Sequence, residues 1–235
     1  MIPPLIVSNA LKNGINLIAI TDHNQSANVE AVMQASIGTD LTVIPGMELQ
    51  TREEVHCLCL FDSLDQLSAF QSIVDQHLPS TPNNIDFFGE QFIVDKNGEF
   101  LKREDRLLIN STDLTINQAE LIVNTLDGII IPAHVNREAY GLLSHLGFVP
   151  PELKLTTLEI SRHISPEDSR LKFPQIKEYH LIQSGDVHFI DDFLGVNYFE
   201  IEQPSIKEIT LAFSGLNSRK HIINNPSSDK SHSKI

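Results

Sequence analysis

Basic residues are scarce in this sequence. Lysine and arginine total 17 against 31 aspartates and glutamates, a formal net charge of -14. Clustered cationic side chains are what neutralise a phosphate backbone, so long duplex nucleic acid is not an expected partner. A small phosphorylated substrate, a nucleotide or a short oligonucleotide stays compatible with this acidity, provided that bound cations supply local positive charge. Cysteine is nearly absent too. Cys57 and Cys59 are the only two, too few for a disulfide framework, and they alternate on one apolar run, which is the wrong spacing for a redox loop. They read as small packing residues. The start, Met1-Ile-Pro-Pro4, lacks the basic region of a signal peptide, and a reducing cytoplasm is the expected setting. No run approaches the roughly 18 apolar residues of a membrane span, so no membrane partner is expected. Zinc-finger and His-Glu-x-x-His spacings are missing, as is a convincing Ser-His-Asp or Cys-His arrangement.

What is present suits one sizeable α/β domain, with 41% hydrophobic and 20% charged residues in 235. Short apolar runs alternate with helix-like stretches, the pattern of a parallel sheet with crossover helices. Strands are expected at 16–21, 41–45, 56–61, 128–132, 158–160, 181–183 and 198–201. Helices are expected at 28–35, 64–77, 116–126 and 205–213. Leu78 to Thr112 breaks the rhythm, and Asn97-Gly98 between two apolar pieces signals a hairpin, so an insertion over about 79–112 is expected within a domain spanning 1–215. Within it, Phe87-Phe-Gly-Glu-Gln-Phe92 reads as a local hydrophobic anchor, with a lid or partner surface as the alternative. Residues 216–235, rich in Ser, Asn and Lys, are expected to be a disordered tail.

The chemistry-bearing residues fall directly after strand-like runs. Asp22 and His23 follow Leu17-Ile-Ala-Ile20, Glu48 follows Val43-Ile-Pro-Gly-Met47, His134 follows Ile129-Ile-Ile-Pro-Ala133, and Asp186 with His188 follows Leu181-Ile-Gln-Ser-Gly185. In parallel α/β folds this is the carboxyl edge, where groups from separate strands converge. Imidazoles mixed with carboxylates suit divalent zinc, manganese or iron. His56 is a further candidate, although it begins its run rather than ending it. Arg137, three residues after His134, could clamp a phosphate oxygen with its planar fork.

Several of these segments resemble the ordered motifs of the PHP (polymerase and histidinol phosphatase) superfamily. Gly14-Ile-Asn-Leu-Ile-Ala-Ile-Thr-Asp-His-Asn24 resembles the second motif. Ile44-Pro-Gly-Met-Glu48 with Glu54-Val-His56 resembles the third, Pro132-Ala-His134 the next and Ser184-Gly-Asp-Val-His188 the last. The resemblance implies a distorted (β/α)7 barrel holding two or three metal ions. It makes Glu48 a bridging carboxylate, His56 and His134 partners on one metal, Asp186 a ligand to another, and His23 with His188 ligands to a third. Asp22 and Arg137 stand beside these as catalytic candidates. The resemblance further implies hydrolysis of phosphate mono- or diesters by metal-activated water, as in histidinol phosphatases, nucleotide phosphatases or short-oligonucleotide exonucleases.

One departure from the family pattern stands out. PHP domains begin with a strand ending in His-x-His, whereas Ile2 to Asn13 already reads as the following helix, with Pro at its start. The first strand and its ligands are therefore expected to be missing, through a late start, a fragment or a shortened gene. This leaves a catalytically impaired remnant with a binding or regulatory role as an alternative to a working phosphoesterase. An amidohydrolase-like barrel is a third reading, disfavoured by Glu48 in the bridging position. His77, His145, His163 and His180 match no motif and read as surface or packing histidines, while His221 and His232 fall in the expected tail.

Overall fold

The computed structural model describes residues 1–224 as a mixed α/β fold. Helix α1 (Pro3–Lys12) leads into β1 (Leu17–Ile20), α2 (Val29–Ser36), β2 (Thr42–Gln50), β3 (His56–Leu60) and α3 (Leu64–His77). A short helix α4 (Ile85–Phe88) and the hairpin β4 (Phe92–Val94) with β5 (Phe100–Arg103) form the 79–112 segment. Then come α5 (Ile116–Thr125), β6 (Ile129–Pro132), α6 (Leu142–Leu146), β7 (Thr157–Ile160), α7 (Pro166–Lys172), β8 (His180–Gln183), β9 (Asn197–Glu200), α8 (Ile206–Ser214) and β10 (Lys220–Ile223).

Local chemistry accounts for several boundaries. Proline opens α1, where its missing N–H costs nothing. Ser63 with Gln66, and Thr115 with Gln118, make capping boxes at α3 and α5, each satisfying two otherwise unpaired backbone donors. Glycines in left-handed conformation stop α6 at Gly147 and α8 at Gly215.

The sheets differ from the expected all-parallel arrangement. β1 pairs β2 in parallel and β7 pairs β8 in parallel, but β2–β3 and β3–β6 are antiparallel, in the order β1-β2-β3-β6. The cause is loop length. Residues 51–55 are too few for a crossover, which needs roughly a dozen residues, so β3 folds back as a hairpin. Strand β2 is also longer than its expected 41–45, because Pro45 and Gly46 do not end it. They mark a change of partner, with Thr42 to Pro45 registered on β1 and Gly46 to Gln50 on β3. Gly46 is required there: a Cβ would stand 2.8 Å from a Leu60 methyl and 2.9 Å from a Thr21 methyl. Among the described residues no ladder closes these sheets into a barrel.

The main core lies between the four-stranded sheet and α1, α2, α3 and α5. It includes fully buried Met47, Leu49, Phe61, Phe70, Leu67 and Ile116, with Cys57 and Cys59 inside it as free thiols. A smaller cluster joins Ile44, Leu60, Ile131 and Ile182 to α8 through Ile206, Ile209 and Phe213.

Two expectations from composition need correction. Residues 216–224 are not the start of a disordered tail, because Lys220–Ile223 pairs antiparallel with β9 and buries His221. The local His221-Ile-Ile223 run stabilises it where the surrounding Ser and Asn would not. Residues 225–235, with His232, lie outside the described residues. Phe87 is no local anchor. It is 78% exposed and pairs with its neighbour Phe88 in a T-shaped ring contact. No described helix is long and apolar enough to cross a membrane.

Candidate metal centre

The antiparallel turn of β3 resolves the odd placement of His56. Because β3 runs opposite to β1, β2 and β6, its first residue lies at their carboxyl edge. Gln50 is registered against His56, and the Ala133 N–H donates to the His56 carbonyl at 2.8 Å, which brings His134 alongside. The β1 ladder continues past its last strand residue: Glu48 N–H donates to Asp22 O (3.2 Å) and Asn24 N–H to Glu48 O (3.0 Å), setting His23 beside Glu48.

Glu48 is thereby surrounded by three imidazoles. Its Oε1 lies 3.0 Å from His56 Nδ1 and 3.3 Å from His134 Nε2, and its Oε2 lies 3.5 Å from His23 Nδ1. Glu48, His56 and His134 are buried and His23 is partly so. One donor atom from each of His23, Glu48 and His56 falls within 4.8 Å of the other two. Burial alone would raise the Glu48 carboxyl, but hydrogen bonds from His134 and His56 and the nearby His23 outweigh it and hold the group well below the ordinary carboxylate range. Burial pushes His23 down, toward the neutral imidazole, with Glu48 only partly offsetting this.

A divalent cation fits this donor set. An ionised carboxylate in a buried pocket is costly unless positive charge or hydrogen bonds balance it. The histidines do not fully satisfy their own polar atoms either: His23 Nδ1 and His134 Nδ1 are buried without a hydrogen bond. Neutral imidazole nitrogens and a carboxylate oxygen at this spacing are ligands that borderline divalent metals accept. His134 also adopts φ of 32°, a strained conformation for a non-glycine residue that costs about 1–3 kcal/mol and clusters at functional sites.

The other expected residues form a looser group. Asp186, at φ 48°, follows β8 and pairs through Oδ2 with Arg137 Nη1, while His188 Nδ1 sits 3.5 Å from Asp186 Oδ1. The His188 side chain is 56% exposed, and its ring centre lies 6.1 Å from that of His23, the link between the two groups. Arg137, Asp186 and His188, with Arg162, His163 and Phe189, line an open cavity of about 520 Å³ beside the centre. Asp22 is not drawn into the cluster. It is exposed, and its carboxyl interacts with Asn28.

Some residues around the centre escaped the motif reading. Glu159, inside β7, is buried, accepts the Ser184 hydroxyl at 2.6 Å and the His134 backbone N–H at 3.3 Å. Burial pushes its carboxyl up to about 7. The signal available was a lone charge within the apolar run Leu158-Glu-Ile160. Asn24, fully buried at φ 48°, donates to Leu108 O and Asn110 O and accepts from Gln50 N–H, so it ties the His23 loop to β2 and to the 79–112 segment. Tyr140 stacks on His56.

No protein-family model and no curated protein sequence matches the chain. Solved structures do. A lesion-specific endonuclease from Pyrococcus furiosus superposes with a TM-score of 0.70 at 21% identity, covering 94% of this chain and 53% of its own. Endonuclease Q in complex with a 27-mer duplex bearing an abasic lesion gives 0.69 at 20% identity, covering 95% and 55%. A protein described as a metal-dependent phosphoesterase, from Bifidobacterium adolescentis, gives 0.52 at 16% identity, covering 97% and 89%. At these identities the likeness is one of fold, and the chain spans about half the length of the two endonuclease structures. One of them overturns the exclusion of long duplex nucleic acid, since a protein sharing this fold is seen bound to a 27-mer duplex. Net charge is a sum over the whole chain, whereas contact with a duplex depends on where individual charges lie.

Proposed function

We propose that the chain is a metal-dependent hydrolase of phosphate esters with a site of the PHP type. The observation that carries this reading is the buried Glu48 carboxylate with His23, His56 and His134 around it. In this reading the strands belong to a distorted (β/α)7 barrel. Glu48 would be the shared carboxylate, His56 and His134 would hold one cation, His23 and His188 another and Asp186 a third, with zinc, manganese or iron suited to these donors.

A divalent cation held by these residues would supply Lewis acidity for activating water and offsetting charge on phosphoryl oxygens. The chain's own groups orient and exclude. Tyr140 and Gln50 fence His56, while the buried β2–β3–β6 edge keeps bulk water from Glu48. Arg137, one-third exposed beside the 520 Å³ cavity, is placed to exchange its Asp186 partner for a phosphate group, since a carboxylate and a phosphate each offer two anionic acceptor oxygens to the guanidinium fork. His163 borders the same cavity and can hold or release a proton at the leaving oxygen. The likeness to Endonuclease Q makes nucleic-acid phosphodiesters, duplexes with an abasic lesion included, substrates to test beside small phosphate esters.

The test is hydrolysis by the purified chain, with added manganese or zinc, of a phosphate monoester, an aryl phosphodiester, a short oligonucleotide and a duplex carrying an abasic site. The reading expects turnover of at least one that is abolished by chelation and by Glu48→Gln. Turnover that survives both would overturn it.

A further inference from the structure

Within the inner centre, His56 is held on its face by another ring. Tyr140 lies parallel to it, with centres 4.4 Å apart and an angle of 4° between planes. The backbone repeats the link, because the His56 N–H donates to the Tyr140 carbonyl at 3.1 Å. Tyr140 reaches this position at a φ of 59°, which a bulky side chain rarely adopts. The following residue admits no side chain, since a Cβ on Gly141 would stand 2.2 Å from Arg137 O. Beyond it, buried Leu142 and Leu143 start α6 and anchor the loop in the core.

The edge of the same imidazole is also held. His56 Nε2 lies 3.4 Å from Gln50 Oε1, and Gln50 Nε2 donates to Ser111 Oγ at 2.9 Å, which turns the amide oxygen toward the ring. With Nε2 held at the Gln50 amide oxygen, Nδ1 on the other side of the ring points toward Glu48, 3.0 Å away. A ring pinned at one edge still rocks about that contact. A parallel ring 4.4 Å from its face removes this freedom.

We propose that Tyr140 is a positioning residue for the cation site: its ring, stacked on His56, fixes the imidazole so that Nδ1 faces Glu48. The inference rests on the metal-centre reading above, and it assigns the stack rather than the hydroxyl as the working part. A strained Tyr140 held between Arg137 and α6 also joins the His56 ring to the loop that carries Arg137.

The test is a cycle of variants read by zinc or cobalt titration of the intact chain, with no substrate present. Tyr140→Phe keeps the stack and is expected to bind like the wild type. Tyr140→Ala is expected to weaken binding about tenfold, the scale on which groups that orient ligands act. In a His56→Ala background the Tyr140→Ala change is expected to have no further effect, because there is no ring left to orient. Circular dichroism and the melting temperature of the metal-free variants separate misfolding from mispositioning. If Tyr140→Ala binds normally while His56→Ala does not, this inference fails and the centre stands. Unchanged binding by His56→Ala would remove the centre itself. Equal loss in Tyr140→Phe would assign the effect to the hydroxyl and overturn the stacking role.

Discussion

The inner cluster around Glu48 and the outer group around Asp186 carry the same residue types but are built in different ways. Glu48, His56 and His134 come from three adjacent strands of one sheet and are buried, with backbone hydrogen bonds between neighbouring strands fixing their separation. Asp186 and His188 sit on a loop after β8, part of a separate two-stranded sheet, with His188 more than half exposed and Asp186 held by Arg137. Ladder geometry preorganises the first group before any ligand arrives. The second must trade an existing ion pair for a new partner. High affinity is therefore expected from the inner cluster and exchangeable contacts from the outer one.

The sharpest way to break that contrast is to delete one imidazole from each. His134→Ala is expected to lower affinity for zinc or manganese on the order of 100-fold, and His188→Ala about tenfold or less, as measured by isothermal titration. Equal losses would show that the two groups act as one site.

A second effect concerns the support beneath the inner cluster. Glu159 ionises near 7 in the folded chain but near 4.5 when unfolded, so the unfolded state loses its proton first as pH rises. Glu159 should therefore withdraw stability between about pH 4.5 and 7, by at most about 3 kcal/mol, while the histidines His23, His180 and His221, pushed down by burial, contribute the opposite trend. Urea denaturation of the metal-free chain at about pH 5 and pH 8 is expected to show Glu159→Gln gaining relative to the wild type at the higher pH by up to this amount, because the histidine contribution is common to both chains. A variant that keeps the same slope would mean that Glu159 titrates normally.

The smallest effect belongs to the outer group. Arg137 is one-third exposed, and solvent screens its pair with Asp186, so Asp186→Asn should cost under about 1 kcal/mol in thermal or chemical unfolding. A loss of several kcal/mol would make the pair a structural element rather than an exchangeable contact.

The same contrast explains what could be read in the sequence. His23, His134 and Asp186 end apolar runs, and strand ends with polar residues are visible in one dimension. Glu48 looked like another strand end because Pro45 and Gly46 imitate a terminator, yet β2 continues past them and changes partners there. The role of His56 was visible only as a mismatch, since the direction of β3 depends on a five-residue loop whose effect is geometric. Tyr140 and Asn24 were not legible, because nothing in their local sequence shows a left-handed backbone or a ring stack, and Glu159 was marked only by a lone charge inside an apolar run, which does not show what it lies beneath. The β10 strand was hidden by the polar residues around it.

The most direct test of the central claim is the metal content of the chain after zinc or manganese loading and exhaustive dialysis, compared with Glu48→Gln. The account predicts at least one cation retained per wild-type chain and none in the folded variant, as judged by elemental analysis beside circular dichroism. A folded wild type that retains no cation, or a Glu48→Gln chain that retains as much, would contradict it.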